Sequence, residues 1–413
     1  MAGITSTDGP AGWIDRTPAF LARGYDFIAA ECDRVGADIA EVRLLGRRTV
    51  LLRGRDAARL LYDERLFRRT GALPKRAQRT LTGVGGVQGL DGDAHRHRKL
   101  LFVALLDDQS TGIAAAFAEQ WQEMLRRRAG RRVSVLDSTS EALCAAISAW
   151  CGLPVRGEAL HRRTRDLRAM IESGAKLGPA HWRGLAARRR AESALARTVA
   201  AVRHDLAACP PSPLRTITLH RDDRGDELPA RIAAVELLNL LRPTVAIGRY
   251  VAFAAHALGT HADLAARLAD DPVLRRSFAH EVRRFYPFFP AVAAIARCDV
   301  TFQGRRIRAG RRVLLDLYGT NRHPECPRAD EFVTDRHLES PGLFDLVPQG
   351  GGDVASGHRC PGEPLTIAVI EAATGVLLDA SPVADPRPVD TRPIPTAPAD
   401  GMLVIPRPQR PFR

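Results

Sequence analysis

One cysteine in this chain is delivered by glycines. Gly350-Gly351-Gly352 is followed by Gly357-His358-Arg359-Cys360-Pro361-Gly362-Glu363, and then by the apolar run Leu365, Ile367, Ala368, Val369, Ile370. That run reads as a helix, with Pro361 expected in its first turn. A thiol at such a position feels the positive end of the helix dipole and unpaired backbone N–H groups, so its thiolate is expected to be favoured. The glycines let backbone come close to something flat and bulky. Together these features read as an axial thiolate to haem iron, the ligand that donates electron density and favours O–O cleavage. The competing reading of Cys360 is a small buried hydrophobe.

Two other constellations could do chemistry or support it. Glu281 and Arg284, in Glu281-Val282-Arg283-Arg284, are one helical turn apart and can pair. Arg242-Pro243 interrupts an apolar stretch, Leu237, Leu238, Leu240, Leu241 before it and Val245, Ala246, Ile247 after it. An unpaired guanidinium there costs on the order of several kcal/mol, so Arg242 needs an anion. Three anions compete: a structural carboxylate, a haem propionate, or a substrate carboxylate held by the guanidinium fork. Pro243 cannot donate to the carbonyl of Asn239, so the helix is expected to kink there.

The Cys360 loop, with Glu281 and Arg284, resembles the cytochrome P450 superfamily. Further motifs narrow the resemblance to its bacterial fatty-acid peroxygenase branch. These are Gly71-Ala72-Leu73-Pro74-Lys75-Arg76, Gly178-Pro179 with His181-Trp182, Arg283-Arg284-Phe285-Tyr286-Pro287-Phe288, Leu314-Leu315-Asp316-Leu317-Tyr318-Gly319-Thr320-Asn321 and Pro348-Gln349-Gly350-Gly351-Gly352. They follow one another in order, and the resemblance as a whole runs from about Gly24 to Leu378.

The resemblance implies a mainly α fold with a minor β subdomain, the triangular cytochrome P450 scaffold, around haem b. It makes Cys360 the axial ligand, gives His358, His95, Lys99 and Arg69 to the haem and its propionates, and leaves Glu281 and Arg284 a structural role. It also selects among the anions for Arg242. In this branch the Arg-Pro pair fixes a fatty-acid carboxylate, which then serves as general acid/base with H2O2 as oxidant and no redox partner. The product implied is a 2- or 3-hydroxy acid, with decarboxylation to a terminal alkene as the alternative. Gln88 tilts the expectation toward hydroxylation, since decarboxylating members tend to carry histidine there. Thr82, Phe288, Phe289, Pro290 and Ala291 are implied to line the channel. Thr82 and Ala291 are smaller than in close relatives, which suggests a roomier channel and leaves a non-linear or aromatic acid open. An O2-dependent biosynthetic monooxygenase with redox partners is the second enzyme reading; the missing acid–alcohol pair after Arg242 speaks against it.

Composition sets the frame. The chain has 413 residues, 45% of them hydrophobic, which is ample for a large core. No linker separates halves, so a single domain over 1–413 is expected, ending in a Pro-rich extended segment from 381 to 413. The net charge is +14, but only three basic residues are lysine (Lys75, Lys99, Lys176) and the arginine clusters lack interleaved aromatics. They read as solvated helix faces, with no nucleic-acid partner expected. No apolar run reaches membrane-spanning length, so no stable membrane insertion is expected. Met1 to Pro10 shows no signal-peptide pattern, and seven dispersed cysteines without a Cys-x-x-Cys argue for the cytoplasm.

The elements that must position the site are mostly helical. Periodicity predicts helices over Phe20–Cys32, Asp56–Tyr62 and His95–Leu106, and several between Ile113 and Arg203. It predicts one long helix over Leu228–Leu258, interrupted at Pro243. Hairpins are expected over Ile39–Arg53 around Gly46 and over Val300–Val313, and a loop over Arg76–Gly92.

Overall fold

The fold was obtained as a computed structural model and is described for residues 14–383, 385 and 387–407. The expectation about Met1–Pro10, and the ends of the Pro-rich segment at 384, 386 and 408–413, lie outside the described residues. Helices dominate. Gly92–Leu106, Ser110–Arg126, Val135–Trp150, Gly157–Glu172, Pro179–His204, Ala230–Ala246, Gly248–Thr260, Pro272–Phe285 and Glu363–Asp379 are the long ones. They share one large core in which Phe117, Trp121, Leu143, Ile147, Phe253, Phe278, Val369 and Ile370 are fully buried. The Glu363–Asp379 helix that follows Cys360 lies against Ser110–Arg126 and against Pro272–Phe285, the helix that carries Glu281 and Arg284. Its apolar residues are buried on nearly every side, so it is a central element and reads as a continuous hydrophobic run.

Among the described residues ten short strands form the minor part: β1 (Ile39–Leu44), β2 (Arg47–Leu52), β3 (Phe67–Arg68), β4 (Val133–Ser134), β5 (Ala291–Ala296), β6 (Val300–Phe302), β7 (Arg305–Ile307), β8 (Arg312–Asp316), β9 (Ser381–Pro382) and β10 (Leu403–Ile405). The main sheet has the order β1-β2-β8-β5-β3. The hairpin around Gly46 forms as predicted, with Ile39 opposite Leu52 and Leu44 opposite Arg47. Gly46 takes the left-handed backbone that the tight turn needs (φ +72°). The second predicted hairpin forms only over Val300–Ile307, as β6–β7 turning at Gly304; Arg312 and Val313, expected in it, belong to β8 of the main sheet. In the C-terminal segment β10 returns to pair with β4 and β9.

Three other elements differ from the sequence expectation. Phe20–Cys32 is two helices, Thr17–Arg23 and Phe27–Val35, parted by a 3-10 turn that begins at Gly24 (φ +59°). A Cβ at Gly24 would collide with the carbonyls of Thr391 and Arg392, so the break is a close backbone crossing. Arg76–Gly92 is not wholly loop, since Lys75–Thr80 forms a short helix started by Pro74. The long helix breaks at Ile247, one turn beyond Pro243. There the Ile247 N–H bonds back to the carbonyl of Thr244 at 3.1 Å, a tightened turn. Proline removes the bond to Asn239, but Thr244 Oγ1 donates to the carbonyl of Leu240 at 2.9 Å and keeps the turn around Pro243 helical.

Candidate active site

The cysteine loop is held at both ends. The Cys360 N–H donates to the Gln349 carbonyl at 3.0 Å. Gln349 Nε2 approaches Cys360 Sγ at 3.8 Å and donates to Thr366 Oγ1 at 2.9 Å. Gly351 is forced by its neighbours: an added Cβ would sit 2.7 Å from the Phe344 ring. The helix begins at Glu363 with Gly362 as its cap, so Pro364, not Pro361, fills the first turn. Pro361 lies before the cap. The expectation of a favoured thiolate is also corrected. Burial pushes the Cys360 thiol up, and Glu363 adds to it; the Gly362 N–H, Lys99 and Gln349 pull the other way without prevailing. The chain alone therefore does not ionise this sulfur, whereas a bound metal cation deprotonates a coordinating thiol outright.

Buried ion pairs anchor the loop to the helix Pro272–Phe285, which Asp271 caps by accepting from the Leu274 N–H at 2.8 Å. Arg284 grips Glu281 bidentately, Nε to Oε2 and Nη2 to Oε1, both at 2.7 Å. Its remaining donors reach the carbonyls of Asn321, Ala329 and Glu331 at 3.2, 2.8 and 2.7 Å. Arg336 and His337 each approach Glu281 at 3.3 Å. Burial opposes ionisation of Glu281, but the bonds from Arg284 and His337 outweigh it and hold the carboxyl at about 2. Sequence reasoning missed the neighbouring triad. Arg283, fully buried, pairs with Glu363, which also takes Arg359 Nε at 2.5 Å, and Arg283 Nε donates to Gln349 at 3.2 Å. The Arg283-Arg284 doublet, with an acid three residues after Cys360, was its only signal.

A basic cluster lies beside the loop. His95 and His358 stack with ring centroids 3.7 Å apart. Burial pushes both imidazoles below their ordinary range, His95 to about 4, and Lys99 and Arg69 push the same way. His95 Nδ1 is buried and bonds to nothing among the described residues. Arg69 lies over the Tyr62 ring at 4.8 Å and donates to the Ala293 carbonyl at 2.9 Å. Lys99 reaches the loop itself, giving hydrogen bonds to the carbonyls of Gly357 (2.7 Å) and Arg359 (2.5 Å). Glu64, which sequence reasoning did not single out, faces His95 at 3.9 Å and His358 at 3.7 Å. A thiol free of any disulfide, beside two stacked imidazoles, one with an orphaned nitrogen, and the half-buried Arg69 guanidinium, fits a group that carries both a metal and anionic carboxylates. That is what a haem with two propionates requires.

Arg242 sits on the helix Ala230–Ala246. It is 9% exposed, and it has neither an ion pair nor a hydrogen bond among the described residues; its Nε is sealed and unpartnered. No structural carboxylate among them meets it. Burial, then the positive charge of Arg188, pulls Arg242 down to about 9, with Cys360 opposing. Arg188, buried on the helix Pro179–His204, bonds Glu192 at 2.6 Å and the Leu81 carbonyl at 3.0 Å. It thereby pins the start of the loop that carries Thr82 and Gln88. That loop is pressed onto the Arg242 helix: a Cβ at Gly86 would lie 2.9 Å from both Asn239 and Val235. Gln88 sits on the 3-10 turn Val87–Gly89 with its side chain exposed. Thr82 is half-buried in the same loop. Phe288 stacks on Tyr250 (centroids 4.1 Å apart), Phe289 is exposed, Pro290 is half-buried and Ala291 opens β5.

A cysteine-ligand loop, buried acid–arginine ties and a basic cluster on a mainly helical scaffold define a haem-thiolate oxidoreductase. A family model for Cytochrome P450 matches residues 266–410. Cytochrome P450SP alpha, solved with (R)-ibuprofen, is 37% identical, with 96% of this chain and 98% of that one covered and a TM-score of 0.90. Cytochrome P450EX alpha, solved with myristic acid, is 36% identical over 94% and 96% of the two chains, TM-score 0.90. A variant of cytochrome P450 OleT, in complex with arachidonic acid, is 28% identical over 98% of both, TM-score 0.91. This chain belongs to the cytochrome P450 superfamily, in its CYP152 fatty-acid peroxygenase branch. No single helix among the described residues is long and apolar enough to cross a membrane.

Proposed function

We propose that this protein uses H2O2 to hydroxylate a carboxylic acid, a fatty acid in the first instance, at the carbon α or β to the carboxylate. The observation that carries this reading is Arg242, a buried cation with no protein anion to meet it. Haem b, when bound through Cys360, supplies the iron that reacts with H2O2 and the oxidising power that attacks a C–H bond. His95, His358 and Arg69 would hold its propionates, and Lys99 would fix the carbonyls of the loop. Arg242 binds the substrate carboxylate in its fork and fixes it where its oxygens can move a proton between the two oxygens of H2O2. The helix itself offers no acid–alcohol pair for that work, since Pro243, Thr244 and Val245 follow Arg242. The tether brings the carbons next to the carboxylate nearest to the reacting centre and so sets the regiochemistry. On this reading the whole chain acts as one haem unit in the cytoplasm, with no redox partner.

Affinity for the acid should depend on pH through Arg242. A guanidinium held near 9 is charged at neutral pH and loses its proton above that value. Dissociation constants for a saturated fatty acid, read from the haem absorption shift, should be flat to about pH 8 and weaken about tenfold per unit beyond 9. A flat profile to pH 11 would show that the guanidinium keeps its proton throughout and would contradict the lowered value.

Gln88 bears on the balance of products. A neutral amide is a poorer proton source than an imidazole near its pKa. Gln88→His should raise the terminal-alkene share of the product severalfold, measured by mass spectrometry; an unchanged share assigns Gln88 no part in that choice.

A further inference from the structure

A cavity of about 530 Å³ lies between the helices Pro272–Phe285 and Glu363–Asp379 and the stretch 337–340. That size suits a small organic ligand. None of Cys360, Arg242 or Gln88 lines it. Val273 and Leu338, both more than half exposed, give it apolar walls. His280, only 5% exposed, lines it as well. Burial, then the charge of Arg283, presses that imidazole to about 3, so it is neutral. Its Nδ1 accepts from Arg283 Nη1 at 3.1 Å, and a guanidinium only donates, so the ring proton sits on Nε2. That N–H has no acceptor among the described residues. Arg276 meets Glu371 at 3.8 Å, too far for a hydrogen bond, and makes no other contact with an acceptor among the described residues. Arg275, by contrast, gives its guanidinium to the carbonyls of Leu268 and Ala269. Glu371 is the one acid on the described lining, and burial pushes its carboxyl up against the pull of Arg276.

We propose that this cavity binds a medium-chain carboxylate, its head on His280 Nε2–H and Arg276 and its chain across Val273 and Leu338, and that its occupancy is relayed to the haem ligand Cys360. One neutral N–H and one loosely held guanidinium match a single negative charge, and the apolar walls match a hydrocarbon tail. The relay is a chain of contacts. His280 Nδ1 accepts from Arg283 at 3.1 Å, Arg283 Nε donates to Gln349 Oε1 at 3.2 Å, and Gln349 Nε2 lies 3.8 Å from Cys360 Sγ. A carboxylate on the Nε2–H makes Nδ1 a stronger acceptor, because hydrogen bonds in a chain polarise one another. Arg283 is then held more tightly by His280, and its bond to Gln349 changes with it. Hydrogen bonds to a ligating sulfur tune the metal it holds. The site is separate from Arg242 and does not rest on the carboxylate reading of that residue. Since the ligand is of the class proposed as substrate, the haem would respond to the supply of acid.

The test uses haem-loaded, full-length protein carrying Arg242→Leu, which removes the proposed substrate anchor, with octanoate as the probe. Equilibrium dialysis should find one octanoate per chain, bound about tenfold or more tighter than acetate, which has the head without the tail. Saturating octanoate should move the midpoint potential of the haem iron to more negative values, since the ligand adds negative charge to the network behind the sulfur. Arg276→Glu and Leu338→Glu both change exposed side chains and so leave the core intact. Each, added to Arg242→Leu, should weaken octanoate about tenfold or more and abolish the potential shift. No saturable octanoate binding, or binding unchanged by both substitutions, overturns the site. Octanoate that binds and is weakened by both, yet leaves the potential unmoved, overturns the relay. Binding that survives both substitutions and shifts the haem absorption places octanoate in the haem pocket, and overturns the Arg242 anchor as well as this site.

Discussion

An Arg242→Leu variant will fold more stably than the natural chain and still lose H2O2-driven turnover of a fatty acid by about a thousandfold. The two effects have one cause. Arg242 is buried without an anion among the described residues, so substrate-free protein bears the full desolvation cost of the charge. Replacing it with an apolar side chain of similar reach should add about 1–4 kcal/mol to unfolding, the range seen when buried charges are replaced by well-packed hydrophobes. The gain should shrink as pH rises. The folded-state value near 9 lies below the ordinary guanidinium value of 12.5, so the natural chain recovers stability between them. Turnover falls because the leucine cannot hold the carboxylate that moves the proton. Thermal unfolding and initial rates on the same preparations check both halves. A variant less stable by several kcal/mol would mean that Arg242 has a structural partner after all.

Glu281→Ala should be the most damaging change outside the reacting centre. It strips the carboxylate from Arg284, whose bidentate grip has two 2.7 Å bonds, and from Arg336 and His337. Removing one partner of such a buried network leaves uncompensated charge and costs about 3–5 kcal/mol. The Val333 N–H, which donates to Glu281 at 2.7 Å, would also be orphaned. The variant is expected to unfold at much lower denaturant and to recover little haem. Glu281→Gln, which keeps shape and loses charge, should fall between the two. The contribution of Glu281 is complete above the ordinary carboxylate value of 4.5 and disappears as pH falls through about 2, so the penalty should narrow in acid. A stability loss below 1 kcal/mol for Glu281→Ala would show that the network does not hold the Asn321–His337 stretch onto its helix.

What the sequence disclosed follows from what kind of signal each residue leaves. Cys360, Glu281 and Arg284 were legible because the glycines, the cysteine and the i,i+3 pair are local patterns. Arg242 was legible as a charge inside an apolar run. The hairpin around Gly46 was legible because alternation and a left-handed turn residue coincide. Arg283 was hidden because its partner Glu363 lies 80 residues away and only tertiary packing joins them. Glu64 was hidden for the same reason, since it meets His95 and His358 from a different element. Local rules also misplaced two details. Pro361 was placed in the first turn, but the helix starts two residues later, at Glu363, and Pro364 fills that position. The dipole argument for Cys360 counted the N–H groups and omitted the desolvation that outweighs them.

The most direct test of the central claim is product analysis by mass spectrometry. The purified haem-loaded protein is given a saturated mid-to-long-chain fatty acid and dilute H2O2, with no reductase and no nicotinamide. The account predicts hydroxy acids carrying oxygen at the carbon α or β to the carboxylate. No product from a preparation whose absorption shows an intact haem-thiolate, together with turnover once O2, a reductase and an electron donor are supplied, would contradict it.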